Sequence, residues 1–173
     1  MSQKGWIFDK SKCVSCKACT VACKMENNTL TEVNYRWVIE KESGYYPSAE
    51  IRFTSMACFH CANPACMAAC PIDGAITKDA DTGIVLIHQE LCVGCKYCMA
   101  VCPYGAPQFN EASQKVEKCT FCNQRTEQGL LPACVITCVG RALEAVDDET
   151  WDGEVPDGFA SRNMTHPAVK FKD

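Results

Sequence analysis

Residues 91–104 read LCVGCKYCMAVCPY. Cys92, Cys95, Cys98 and Cys102 fall within eleven residues, and Pro103 follows the last of them. The same grammar recurs three more times. Cys13, Cys16, Cys19 and Cys23 lie in CVSCKACTVAC. Cys58, Cys61, Cys66 and Cys70 lie in CFHCANPACMAACP. Cys119, Cys122, Cys134 and Cys138 lie in CTFCNQRTEQGLLPACVITC. Each set is a C-x2-C pair, a third cysteine at a variable distance, then x3 and a fourth. The gap before the third cysteine is two, four, two and eleven residues in chain order, while the final x3 never changes. All sixteen cysteines of the 173 residues are used.

That much cysteine calls for metal or disulfides. Structural zinc uses C-x2-C pairs too, but its second pair usually lies well downstream, so that four ligands close a tetrahedron. Here two sets place the third cysteine only two residues on. Disulfides suit small secreted chains, and C-x2-C-x2-C is awkward for bridging. The first and third sets have the C-x2-C-x2-C-x3-C run of bacterial ferredoxins, the third with its proline. In that run three thiolates hold one [4Fe–4S] cube and the fourth reaches a second. The spacing therefore predicts four [4Fe–4S] clusters held by sixteen thiolates.

The rest of the chain narrows the function classes. Formal net charge is −4, and no Lys/Arg run suggests a nucleic-acid surface. The start, MSQKGWIFDK, has no apolar core and no twin arginine, so no cleavable export signal is expected there. Residues 53–72 form the longest uncharged stretch, yet hold His60, Asn63, Pro64 and four cysteines. They read as site-lining chain, and no direct membrane span is expected.

The expected fold class is α+β: duplicated bacterial-ferredoxin-like units, with short helices and strands around four clusters. Short helices follow the cysteine loops at KACTVACKM, PACMAAC, KYCMAVC and ACVITC. Strands are expected at 5–8, 35–40, 51–55 and 84–88. DGAI at 73–76 and GRALEAV at 140–146 place a glycine where a helix returns to a strand. A four-cluster domain would cover 1–146, with an outer half of 1–27 plus 112–146 and an inner half of 51–111. Residues 28–50 read as an insertion with a turn at SGYYPS. Residues 147–173 lack cysteine and read as a C-terminal tail that contacts a partner or lies as surface coil.

The motif order resembles the four-cluster electron-transfer subunits of the dimethyl sulfoxide reductase family of molybdenum enzymes. The resemblance spans about residues 5–146. It rests on the four sets in order, on CPYGAPQFNE at 102–111 with KCTFC at 118–122, and on the wide gap from Cys122 to Cys134. It implies four ligand sets. One is Cys13, Cys16, Cys19 and Cys138; a second is Cys119, Cys122, Cys134 and Cys23. A third is Cys58, Cys61, Cys66 and Cys102; the fourth is Cys92, Cys95, Cys98 and Cys70. It further implies a non-catalytic subunit, with the Cys13 cluster facing a molybdopterin-containing catalytic subunit. The Cys92 cluster would face a quinone-reactive membrane anchor subunit. Membrane association would then come through partners, on the periplasmic or outer face by co-export with a signal-bearing partner, or else in the cytoplasm. A formate dehydrogenase or hydrogenase subunit and a free polyferredoxin are the other expectations.

Oxidised cubes with four thiolates carry roughly −2 each, taking the chain to roughly −12. Lys17, Lys24, Lys96 and Lys118 flank ligands, either to raise cluster potentials or as solvated lysines. Tyr97 and Phe121 read as shields or as packing. His60, inside CFHC, reads as a donor to a cluster sulfur, and His88 as a packed or edge residue. Trp6, Trp37 and Trp151 read as core or interface anchors. Ligation by sixteen thiolates couples metal binding to folding. Stripping the metal is expected to abolish the near-UV circular dichroism; a native near-UV signal in apo-protein would refute this.

Overall fold

Trp6 and Phe8 sit two residues apart and point to one face of a strand, β1, Gln3–Asp9, where both are buried. Around that strand the rest of the chain is arranged. The computed structural model describes residues 3–148, 150–151, 155–156, 158–159 and 161–173, with only the backbone at 162.

β1 is the middle strand of a three-stranded sheet in the order β8-β1-β9. β8, Leu143–Asp148, runs antiparallel, with Phe8 opposite Leu143. β9, Val169–Lys172, runs parallel, with Trp6 opposite Val169 and Phe8 opposite Phe171. The Phe8 and Phe171 rings meet edge to face with centroids 6.0 Å apart. Gly5 permits this approach: a Cβ there would lie 2.3 Å from the Ala168 carbonyl oxygen and 2.5 Å from the Trp151 ring.

Among the described residues, three hairpins complete the strands. β2, Arg36–Ser43, pairs along its length with β3, Glu50–Ala57. Its base is buried at Arg36, Ser55, Met56 and Ala57, while Tyr45 and Tyr46 stand exposed at its tip. β4, Ile76–Lys78, pairs with β5, Val85–Ile87, and β6, Gln108–Asn110, with β7, Lys115–Glu117.

Five short α-helices carry or follow the cysteines: α1, Ala18–Asn27; α2, Ala65–Ala68; α3, Tyr97–Val101; α4, Asn123–Thr126; and α5, Ala133–Ile136. α1 and α3 are entered from left-handed Lys17 and Lys96; α2 and α5 are entered from Pro64 and Pro132. Proline fixes φ near its helical value just where a helix begins, so it starts a short helix cheaply. α1 packs on α5, and α2 on α3.

The mixed α+β character and the cysteine-bearing helices follow the sequence reading, and the strands expected at 5–8, 35–40, 51–55 and 84–88 are present with shifted ends. The segments without cysteine differ more. Within the 28–50 stretch, Arg36–Ser43 form β2, which pairs with β3. Part of the expected tail is core. Residues 147–148 end β8, and β9 completes the central sheet, with Thr165, Ala168 and Val169 buried. Residues 149, 152–154, 157 and 160 of that stretch lie outside the described residues. The uncharged run 53–72 is divided among β3, the Cys58 loop and α2. The expected outer and inner halves share one core: Trp6, Phe8, Phe121 and Leu143 pack with Phe59, Tyr104 and Ala106. A smaller cluster of Ile76, Val85, Cys98 and Val116 lies apart.

β9 gives the first structural test. Deleting 165–173 removes that strand and the Thr165 hydroxyl, which lies 2.8 Å from the Tyr104 Oη. The loss is expected to exceed a single Phe→Ala core truncation, about 3–5 kcal/mol. Anaerobic thermal melts and limited proteolysis should both report it.

Candidate iron–sulfur sites

A helix turn advances about 1.5 Å per residue, so residues four apart stand roughly 6 Å apart along one face. α1 uses this spacing for Cys19 and Cys23, whereas α2, α3 and α5 hold the third cysteine of their sets and end before the fourth. In each set the two cysteines separated by x3 stand apart. Cys19 and Cys138 line a cavity with Cys13 and Cys16, about 350 Å³ of atom-free space. Their x3 partners Cys23 and Cys134 lie within electrostatic range of Cys119 and Cys122, and these four thiols are all buried. Cys66 and Cys102 line a third cavity with Cys58 and Cys61, about 370 Å³. Their mates Cys70 and Cys98 line a fourth with Cys92 and Cys95, about 330 Å³. Three sets of four thiols thus line cavities, and the remaining four are buried within electrostatic range of one another.

The groups form a series. The Cys13 group adjoins the Cys23 group across α1, which carries Cys19 and Cys23, and α5, which carries Cys134 and ends two residues before Cys138. Cys119 of the second group lies close enough to Cys58 of the third for their charges to interact. Cys66 of the third likewise senses Cys98 of the fourth. Cys16 and Cys95, one at either end of the series, are exposed.

The C-x2-C loops share one backbone device. The residue before the second cysteine is left-handed in all four: Ser15 at φ 52°, His60 at 42°, Gly94 at 69° and Phe121 at 59°. A left-handed residue beside right-handed ones turns successive N–H groups inward to form an anion-binding concavity. Inside one of these loops, and from two places outside them, N–H groups reach sulfur. Phe121 donates to Cys119 Sγ at 3.4 Å, Val116 to Cys92 Sγ at 3.5 Å and Ala142 to Cys138 Sγ at 3.2 Å. For Ser15, His60 and Phe121 this conformation is strained, and such strain clusters at functional sites. Gly94 has a second reason to lack a side chain: a Cβ would come within 2.2 Å of the Gln114 carbonyl oxygen.

Burial pushes the thiols of Cys23, Cys61 and Cys66 up to about 12 and that of Cys98 up to about 11. Cys119 is held well above its usual value for the same reason. Such thiols are protonated and unreactive at neutral pH unless metal displaces the proton. None of the sixteen is in a disulfide. Among the described residues, no group of three or more His, Cys, Asp or Glu is placed to hold a single metal ion. Four sulfurs around a cavity, with N–H groups aimed at them, fit a sulfur-ligated cluster.

The flanking cations divide into separate roles. Lys118 is only 2% exposed; it donates to the Val85 and Cys119 carbonyls and lines the Cys58 cavity. Lys17 and Lys96 line the Cys13 and Cys92 cavities, Lys17 paired with Glu40 at 3.1 Å and Lys96 over the Phe109 ring at 3.6 Å. Lys24 instead ties down the following loop, donating to the carbonyls of Leu30, Thr31 and Val33. Tyr97 is 59% exposed and shields little, whereas Phe121 is buried against Trp6 and His60. His60 is fully buried, and burial with nearby Lys118 holds it well below its usual pKa. Its Nδ1 accepts from the Val85 N–H at 3.0 Å, and its Nε2 has no partner among the described residues. His88 lies at a strand end, 2.7 Å from Thr77 Oγ1. Arg36, buried at the base of β2 beside Ser55, escaped the sequence reading. An arginine opening a strand ordinarily reads as a solvated end.

Such a fold and such sites define a protein built around several iron–sulfur clusters. Models of the 4Fe-4S dicluster domain match residues 12–76 and 49–148. The sequence is 39% identical to one component of the anaerobic dimethyl sulfoxide reductase of Haemophilus influenzae, over 83% of this chain and 74% of the relative. It is 36% identical to a component of the selenate reductase of Mesobacillus selenatarsenatis, over 90% of this chain and 64% of that protein. It is 40% identical to a component of the tetrathionate reductase of Salmonella typhimurium, over 79% of this chain and 54% of that protein. This protein belongs to the family that these relatives share, the 4Fe–4S iron–sulfur subunits of dimethyl sulfoxide reductase and related reductases. Its sixteen cysteines match four clusters in number.

Gly94→Ala should disrupt the Cys92 loop alone. Iron and sulfide are expected to fall by about a quarter, one cluster of four, with one set of electron paramagnetic resonance signals lost.

Proposed function

We propose that this chain is the non-catalytic electron-transfer subunit of a respiratory oxidoreductase complex. It relays single electrons between a quinone-linked membrane subunit and a molybdopterin catalytic subunit. One observation carries the reading: four all-sulfur sites stand in series, adjacent ones joined by shared helices or by close thiols, with exposed thiols at the two ends only. A [4Fe–4S] cube, once bound, takes up and gives back one electron. The ligand sets proposed are the four groups described above.

The side chains perform the remaining tasks. The buried middle of the series excludes water, with Phe59, Tyr104 and Phe121 packed around the second and third sites. Inward N–H groups and Lys118 offset the negative charge those sites would carry. At the Cys13 end Val14 and Val139 are exposed; at the Cys92 end Leu91, Val93 and Tyr97 are. Exposed apolar side chains beside a solvent-facing site suit docking of a partner. We assign the first end to the catalytic subunit and the second to the membrane subunit. No helix of the described residues is long and apolar enough to cross a membrane. Attachment through partners, after co-export with a signal-bearing partner, accounts for membrane association.

Anaerobic purification of the tagged full-length chain under gentle conditions tests the proposal. The expected product is brown, holds about sixteen iron and sixteen sulfide per chain, and brings down a large molybdenum-containing partner. A colourless zinc protein would end the cluster reading. A monodisperse brown monomer serving unrelated enzymes would end the subunit reading.

A further inference from the structure

Arg36 is a buried cation whose place needs explaining. It is 2% exposed. Its Nη1 donates to Ser55 Oγ at 3.0 Å, and its Cζ lies 4.4 Å from the centroid of the Trp6 ring. Its Nε and Nη2 find no acceptor among the described residues. A buried guanidinium with two unmet donors is strongly destabilising unless negative charge meets it. The negative charges within its electrostatic reach would be the thiolates of Cys134, Cys119, Cys19 and Cys23. Cys19 belongs to the Cys13 site and the other three to its neighbour. Ser55 extends the contact, since its Oγ lies 3.7 Å from Cys19 Sγ and it lines the Cys13 cavity. The arginine thus touches one site through a serine and has thiols of the adjacent site within electrostatic range.

We propose that Arg36 is a positioning residue for the first two clusters, its unmet N–H groups answered by their negative charge, and that it raises both reduction potentials. This rests on the four-cluster reading above. An electron added beside a fixed cation in a low-dielectric interior is stabilised, so the reduced form gains most. Ser55 transmits the effect to Cys19 alone. The third and fourth sites have Lys118 and Lys96 in their cavity walls and no guanidinium. Arg36 therefore sets the outer pair apart from the inner pair.

The alternative is packing alone, with the guanidinium merely covering Trp6. Redox titration of the cluster-loaded full-length chain, followed by electron paramagnetic resonance, separates the two. In Arg36→Gln, two of the four clusters should titrate lower, by about tenfold in the ratio of reduced to oxidised form at fixed potential. That corresponds to about 59 mV for one electron. The other two should stay in place. Arg36→Lys keeps the charge without the planar fork, so it should recover part of the shift. Ser55→Ala should lower one cluster only. Unchanged potentials in Arg36→Gln, or equal shifts of all four clusters, would overturn the proposal. If Arg36→Gln loses iron, wild-type potentials in both Arg36→Lys and Ser55→Ala would overturn it. Iron and sulfide in the unsubstituted chain are counted in parallel. A count far below four cubes there fails the cluster reading itself, whereas a full count with unmoved potentials fails only Arg36.

Discussion

The constraint on which the structure depends is the fixed x3 interval between the third and fourth cysteines of each set, within α1 for one set and across a helix end for the other three. That interval is too long for both thiols to hold one small group with their own C-x2-C pair. It is the right length for each to serve a neighbouring site. Because α1 packs on α5 and α2 on α3, the exchange is reciprocal in both pairs. Each helix pair stands between two sites and belongs to both. Removing either member would disturb two sites together, which ties secondary structure to ligation more tightly than a hydrophobic core would.

Electrostatics set the second condition. All the thiols except Cys16 and Cys95 are buried or half-buried, and an unmet thiolate there is costly. The chain answers with backbone N–H groups that reach sulfur, and with the buried cations Arg36 and Lys118. These are fixed in place before any electron arrives, so little reorganisation is needed when charge changes. That is the property a relay needs.

Much of the site was readable in the chain itself. Fixed x3 spacing and complete use of sixteen cysteines pointed to clusters because ligand chemistry depends on local spacing, and local spacing survives folding. Strands at 5–8 and 51–55 were readable for the same reason: their apolar and β-branched residues are dense. The parts that escaped are long-range. β9 is a short polar-flanked run, VKFK, that becomes a strand only because β1 offers an edge. Likewise β4, β6 and β7 are three residues each, too short for any periodicity. Lys24 and Lys118 occupy similar flanking positions, yet one ties down a loop at the surface and the other is buried against a site.

By itself, then, the order of residues determined what the protein holds and how many sites it has: cysteine spacing is a local property, and iron–sulfur ligation tolerates little else. Only the tertiary structure decided which cation stands between which sites, which thiols lie at the exposed ends and which strand closes the sheet. Those outcomes arise from contacts between segments far apart in the chain. Arg36 reaches Trp6, Ser55 and thiols on α1 and α5 because β2 and β3 carry it there, and nothing in its immediate neighbours announces the destination.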